Sequence, residues 1–178
     1  MMYGVQKRII LMSNYTKQKD WETSKHTLIK KELSRILSPC GSDKYHYVFE
    51  EAPNEMDRKQ CTDLIDHRKR KYGLRIRNAE SYTKVPNQWF NEITIRKKNK
   101  SNTETEITKI QNGYLDFYFY CWVCCNTIIS SHLFDAEILI KLLKEHENKA
   151  KTIKNDDGTE GIVYPIEFLK EAIWSKHE

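Results

Sequence analysis

The sequence predicts an α/β or α+β domain with a mixed, mainly antiparallel central sheet of five or six strands and helices packed on it. Three observations predict this. Leu28, Ile29, Leu33, Ile36 and Leu37 recur at helical spacing, which gives that segment one apolar face. Residues 116–124 are almost entirely apolar or aromatic, as in a central strand covered on both faces. Between them, residues 61–65 and 74–77 flank a short basic turn and read as a hairpin. A chain of 178 residues suits one domain, 1–178, large enough to build its own core.

The elements follow in chain order. Residues 1–16 hold the apolar patch Ile9-Ile10-Leu11-Met12 and form an arm or a first strand. Asp20 is a candidate N-cap for a helix running to about Leu37, ended by Pro39 and Gly41. Tyr45-His46-Tyr47-Val48-Phe49 is a strand by its aromatic and β-branched content. Residues 61–65 make a short strand. In Leu74-Arg75-Ile76-Arg77 apolar and charged residues alternate, so Arg75 and Arg77 share a face. The next strand, 89–96, sets Phe90, Glu92, Thr94 and Arg96 on one side and Ile93 and Ile95 on the other.

Thr103-Glu104-Thr105-Glu106 has the capping-box pattern, with Thr103 as N-cap. It opens a short helix ending near Gly113. After the central strand, residues 126–134 give a turn and an edge strand. Asp135 caps a helix reaching about Lys149, and Asn155 to Gly158 form a turn. Ile162-Val163-Tyr164 is a last strand. Pro165 then opens a C-terminal helix with Phe168, Leu169, Ala172 and Ile173 inward.

Composition narrows the function classes. Charged residues make up 31% and hydrophobic residues 39%, and no apolar run approaches the roughly 18 residues of a membrane span. The first twelve residues do not resemble a signal peptide. The expectation is a cytoplasmic protein with no membrane partner. Residues 58–100 carry thirteen Lys and Arg against four acids, so the positive charge sits in one zone suited to phosphate. GxxxxGK[ST], GxGxxG and GxSxG do not occur, which disfavours P-loop kinases, Rossmann dehydrogenases and serine hydrolases. Cys121 and Cys124 have CxxC spacing. Zinc usually takes a second pair, and on a strand these two point to opposite faces. Structural zinc is not expected.

One constellation carries chemistry. Asp63, Glu92 and Asp116 accompany Arg75, Arg77 and Arg96 at strand ends or on charged strand faces. Two carboxylates close together in a basic groove would hold Mg²⁺, which activates water, while arginines clamp phosphate. The plainer alternative is that these charges pair with one another. Aromatics interleaved with basic groups can stack unpaired bases, although those of the central strand fit a core.

Cys61-Thr62-Asp63-Leu64, Leu74-Arg75-Ile76-Arg77, Asn91-Glu92-Ile93-Thr94-Ile95-Arg96, Thr105-Glu106-Ile107-Thr108-Lys109-Ile110 and Gly113-Tyr114-Leu115-Asp116-Phe117-Tyr118-Phe119-Tyr120 succeed one another over residues 60–125. This succession resembles a family of phage and prophage proteins, and its layout is similar to the PD-(D/E)xK nuclease superfamily. The resemblance implies a leading helix offering Glu22 or Glu32, a hairpin with Asp63 as the metal-binding Asp, then a helix and another strand. The chain departs from that pattern in having Arg75-Ile76-Arg77 where acid-x-Lys is expected, and Thr94 rather than Lys after Glu92.

The leading expectation is therefore Mg²⁺-dependent cleavage of DNA. Asp63 and Glu92 would hold the metal, Lys109, as a migrated ammonium, or Asp116 would complete the site, and Arg75, Arg77, Arg96 and the turn Arg68, Lys69, Arg70 and Lys71 would hold phosphate. The alternative is a catalytically inactive, phage-derived protein that binds nucleic acid or blocks a host defence complex. The third reading is an accessory domain with an incidental basic face.

Overall fold

The computed structural model describes residues 17, 20–38, 47–56, 62–80, 90–98, 105–155 and 158–174. Two sheets with α-helices packed on them organise these residues. Helix α1 (His26–Leu37) precedes strands β1 (Phe49–Glu51), β2 (Leu64–Asp66), β3 (Lys71–Asn78) and β4 (Glu92–Lys98). Helix α2 (Glu106–Gln111), β5 (Phe117–Cys124), β6 (Thr127–Asp135) and α3 (Ala136–Glu145) follow. Strands β7 (Lys151–Lys154) and β8 (Glu160–Pro165) and a 3₁₀ helix at Ile166–Ala172 complete the order.

The larger sheet has five strands in the order β1-β2-β3-β5-β6, and the smaller has three in the order β4-β8-β7. In the larger sheet β3 and β5 run parallel and the other neighbours antiparallel, so the expected mixed, mainly antiparallel sheet is present. Strand β4 is the main correction. The expectation is one central sheet of five or six strands, but β4 pairs with β8 in a second, three-stranded sheet. Its alternation is as expected, with Ile93 and Ile95 fully buried, but alternation fixes a face and not a partner sheet.

Strand β5 divides the core. Phe117, Phe119, Cys121 and Val123 face α1, where Ile29, Leu33 and Leu37 pack at i, i+4 and i+8. Tyr118, Tyr120 and Trp122 face the second sheet, α2, α3 and the 3₁₀ helix. The two faces explain why the strand is apolar throughout. They also place Cys121 and Cys124 against opposite clusters, as strand geometry requires.

Other boundaries differ for local reasons. The first helix is broken by a turn at Lys25. Thr105, not Thr103, caps α2 by accepting from the Thr108 N–H; Thr103 itself lies outside the described residues. Asp135 caps α3 as expected, accepting from the Ile138 N–H at 3.0 Å. Strand β7 is not foreseen by the sequence pattern, because its Lys-Thr-Ile-Lys sequence follows directly on a helical one. The C-terminal helix is 3₁₀ with Leu169 and Ala172 buried, while Phe168 and Ile173 are half-buried. At Gly161 a Cβ would come within 3.0 Å of the Thr94 methyl and 3.3 Å of Ile153, so the small sheet needs glycine there. Among the described residues no helix is long and apolar enough to cross a membrane. Ile9 to Met12, Tyr45, His46, Cys40 and Cys61 lie outside the described residues.

Candidate nucleic-acid interface and the polar seam

The basic zone divides into two parts that behave differently. One part lies between the sheets. Arg75 and Arg77 share a face of β3, as their spacing predicts, and sit opposite Tyr120 and Trp122 of β5. That face is covered by β4 and α2. Strand β4 is an edge strand of its sheet, so alternate N–H groups need partners other than β8. Side chains supply them. The Tyr120 hydroxyl accepts from the Thr94 N–H at 3.2 Å and from Arg77 Nε at 3.1 Å. The Glu106 carboxylate accepts from the Arg96 N–H at 3.0 Å and from the Tyr118 hydroxyl at 2.9 Å. Arg75 Nε lies 3.9 Å from Glu106 Oε1.

Glu106 keeps 10% of its side-chain exposure and Arg75 21%. Burial alone would raise the Glu106 carboxyl. The Arg75 charge, the Arg96 N–H and the Tyr118 hydroxyl outweigh that and hold it below the usual carboxylate range. Arg75 moves the opposite way, held above its ordinary value chiefly by Glu106. The expected role of Arg75 is on phosphate. It is instead a half-buried counter-charge to Glu106, because its strand face turns toward the second sheet and α2. Arg77 is half-buried on Tyr120, while the Arg96 backbone anchors to Glu106 and its side chain is exposed. In the sequence Glu106 stands out only as part of a cap, and its role in the seam does not show. The signal for it is an acid opposite an inward-facing arginine strand, which only the tertiary fold reveals.

The other part is the β2–β3 turn. Buried Asp66 shapes it by accepting from the backbone N–H groups of Arg68 and Arg70 at 2.9 and 3.0 Å, from Arg70 Nε at 2.7 Å and from the Tyr72 hydroxyl at 3.0 Å. Burial opposes its charge, but the Arg70 and Tyr72 bonds lower its carboxyl overall. Burial and the nearby Asp66 hold the Tyr72 hydroxyl above its ordinary value, against the pull of Arg70. Arg70 is thereby turned inward, stacked on the rings of Tyr47, Tyr72 and Phe117, and is not the free phosphate group expected. His67, Arg68 and Lys69 remain exposed at the tip. Arg68 lies over the Tyr47 ring at 5.8 Å, and the His67 ring is 5.4 Å from it. Lys69 has φ +64°, so the turn projects its side chain from a left-handed backbone. Lys71 is tied by its backbone to Asp116.

The expected metal pair is not brought together in one sheet. Asp63 leads into β2, and its Oδ2 accepts from the Leu74 N–H at 2.6 Å. Glu92 begins β4 opposite Pro165 and lines a cleft of about 450 Å³ with Asn91, Ile166, Glu167 and Lys170. Asp116 lines a different cleft, of about 410 Å³, with Arg70, Asp135 and Glu137. Glu32, the other acid offered by the leading helix, is bonded to Arg35 and Ser131. Lys109 sits one turn after Glu106 on α2. Among the described residues no three His, Cys, Asp or Glu side chains converge as metal ligands would. No protein-family model and no curated protein matches the chain.

Proposed function

We propose that this chain binds nucleic acid through the β2–β3 tip. The observation that carries the reading is the rigid basic knuckle of His67, Arg68 and Lys69, held in shape by Asp66 and backed by Tyr47. Two exposed cations on an ordered turn meet phosphate without first losing much conformational freedom. Arg96 and Lys97 of β4 are also exposed on the second sheet, where Lys98 pairs with Glu160 at 3.7 Å. The nucleic acid is DNA in this reading, free or as a strand held by a host defence complex.

Binding is favoured over Mg²⁺-dependent cleavage by the placement of the two carboxylates. Asp63 and Glu92 belong to different sheets, and one oxygen of Asp63 is already used by the Leu74 N–H. The nuclease-like reading draws on chain order. A leading helix, an antiparallel β1–β2–β3 meander and a helical crossover lead to β5 parallel to β3. The test is a panel of labelled duplex, branched and single-stranded DNA and RNA, with Mg²⁺ or EDTA. We expect salt-sensitive shifts that weaken in Arg68→Ala with Lys69→Ala, and no cutting. Metal-dependent cutting abolished by Asp63→Ala would overturn this reading in favour of the nuclease.

A further inference from the structure

Cys124 and Cys125 are adjacent at the tip of the β5–β6 hairpin, whose loop is Cys125-Asn126 between the paired Cys124 and Thr127. Cys125 is exposed and Cys124 half-buried. Cys125 has φ +54°, a conformation that costs a side-chain-bearing residue and that two-residue hairpin loops usually give to glycine. Two distant parts of the chain hold it there. The Glu80 carboxylate accepts from its N–H at 3.0 Å. Lys25, with 8% of its surface exposed, donates from Nζ to the Cys125 carbonyl at 2.8 Å and to Asn126 Oδ1 at 2.7 Å. The Cys124 thiol and the Glu80 charge are the electrostatic neighbours of the Cys125 thiol. Backbone strain held by remote side chains is a mark of a working site more than of a plain turn.

We infer that Cys124 and Cys125 form a reversible disulfide-modification site that reacts with low-molecular-weight disulfides. Cys125 Sγ, as the thiolate, attacks one sulfur of the small disulfide. The S–S bond breaks, and the expelled thiolate takes up the proton that Cys125 lost. Cys124 Sγ then attacks Cys125 Sγ and expels the second thiolate, which takes up the Cys124 proton. The protein loses two electrons and two protons, and the small disulfide becomes two thiols. Adjacent Cα atoms lie nearer than disulfides prefer, so the eight-membered ring is strained and readily reduced, as a reversible modification requires. The ring contains the peptide joining the two cysteines. Closing it rotates the bonds that Glu80 and Lys25 now hold.

The Cys124 thiol, followed by the Glu80 charge, pushes the Cys125 thiol above its ordinary value. Exchange should therefore quicken as pH rises past about 8.5. The test equilibrates the full chain with glutathione disulfide, alkylates the remaining thiols and maps each cysteine by peptide mass. The expected result is a peptide carrying both residues that has lost two hydrogens and gained no adduct. Cys124→Ser and Cys125→Ser should stop at the mixed disulfide. Amide exchange at Cys125 should quicken on oxidation and return on reduction. Cys125→Gly, which suits the positive φ, serves as a folded control without the chemistry. Both thiols staying alkylatable, a mixed disulfide on Cys125 that never closes, or a bridge to Cys40, Cys61 or Cys121 would each overturn the inference.

Discussion

The seam and the knuckle are both built from an arginine, a carboxylate and a tyrosine. At the seam, Arg75, Glu106 and Tyr118 are shut between two sheets; at the knuckle, Arg70, Asp66 and Tyr72 form the floor of a turn whose other cations stay in water. In each, one arginine neutralises one buried acid. The difference is what remains exposed. At the seam Arg77 is half-buried on Tyr120, whereas Arg68 and Lys69 stand exposed at the knuckle. Positive charge counted along a chain is therefore not positive charge offered to a partner.

The largest expected effect lies at the seam. Glu106→Gln leaves Arg75 without its counter-charge and sets an amide against the donors now facing the carboxylate. Removing one member of a buried pair typically costs about 3–5 kcal/mol; with Arg75 21% exposed, the stability read from urea unfolding should fall by an amount toward the low end of that range. Glu106→Leu combined with Arg75→Met should recover part of it. A smaller loss of about 1–3 kcal/mol is expected for Tyr120→Phe, which strips a shared acceptor from Arg77 and from the Thr94 N–H. If both variants unfold at the wild-type midpoint, the seam is not what joins the sheets.

Acid should weaken both regions. Glu106 and Asp66 have folded-state carboxyls below their ordinary values, so each stabilises the fold above the unfolded-state values near pH 4 and loses that contribution as pH falls through its folded value. Melting temperature should change little between about pH 7 and 8, begin to fall below about pH 6.5 because burial holds the His132 imidazole below its ordinary value, and drop further from about pH 4 downward. The drop should shrink in Glu106→Gln. Thr105→Ala removes the cap bond from the Thr108 N–H and the hydroxyl contact with Thr108 on α2 and should cost about 1 kcal/mol. Smallest of all in stability terms is Arg68→Ala with Lys69→Ala, expected within about 0.5 kcal/mol of wild type because both are exposed.

Much of the fold is legible in the sequence because it rests on local pattern. Helix α1 follows from apolar spacing, the β2–β3 hairpin from two short strands about a basic turn, and β5 from an unbroken apolar run. Asp135 announces its own helix. What stays hidden depends on non-local pairing. The residues of β4 carry the right alternation, yet nothing in them says that β8 is the neighbour, and that pairing puts Glu92 in a different sheet from the one Asp63 leads into. The same choice turns Arg75 from a surface group into an interior one. Asp66 looks like an ordinary turn residue, although its bonds set the geometry of the knuckle and decide which cations face water.

The central claim is that exposed cations of the knuckle, and not the arginines of β3, meet nucleic acid. The most direct test is the salt dependence of DNA binding by wild type and by Arg68→Ala with Lys69→Ala, measured by fluorescence anisotropy. The account predicts that the double variant keeps its melting temperature, binds more weakly and has a log–log salt slope shallower by about 0.9 for each phosphate that it no longer neutralises. An unchanged affinity and slope in a folded double variant would contradict it.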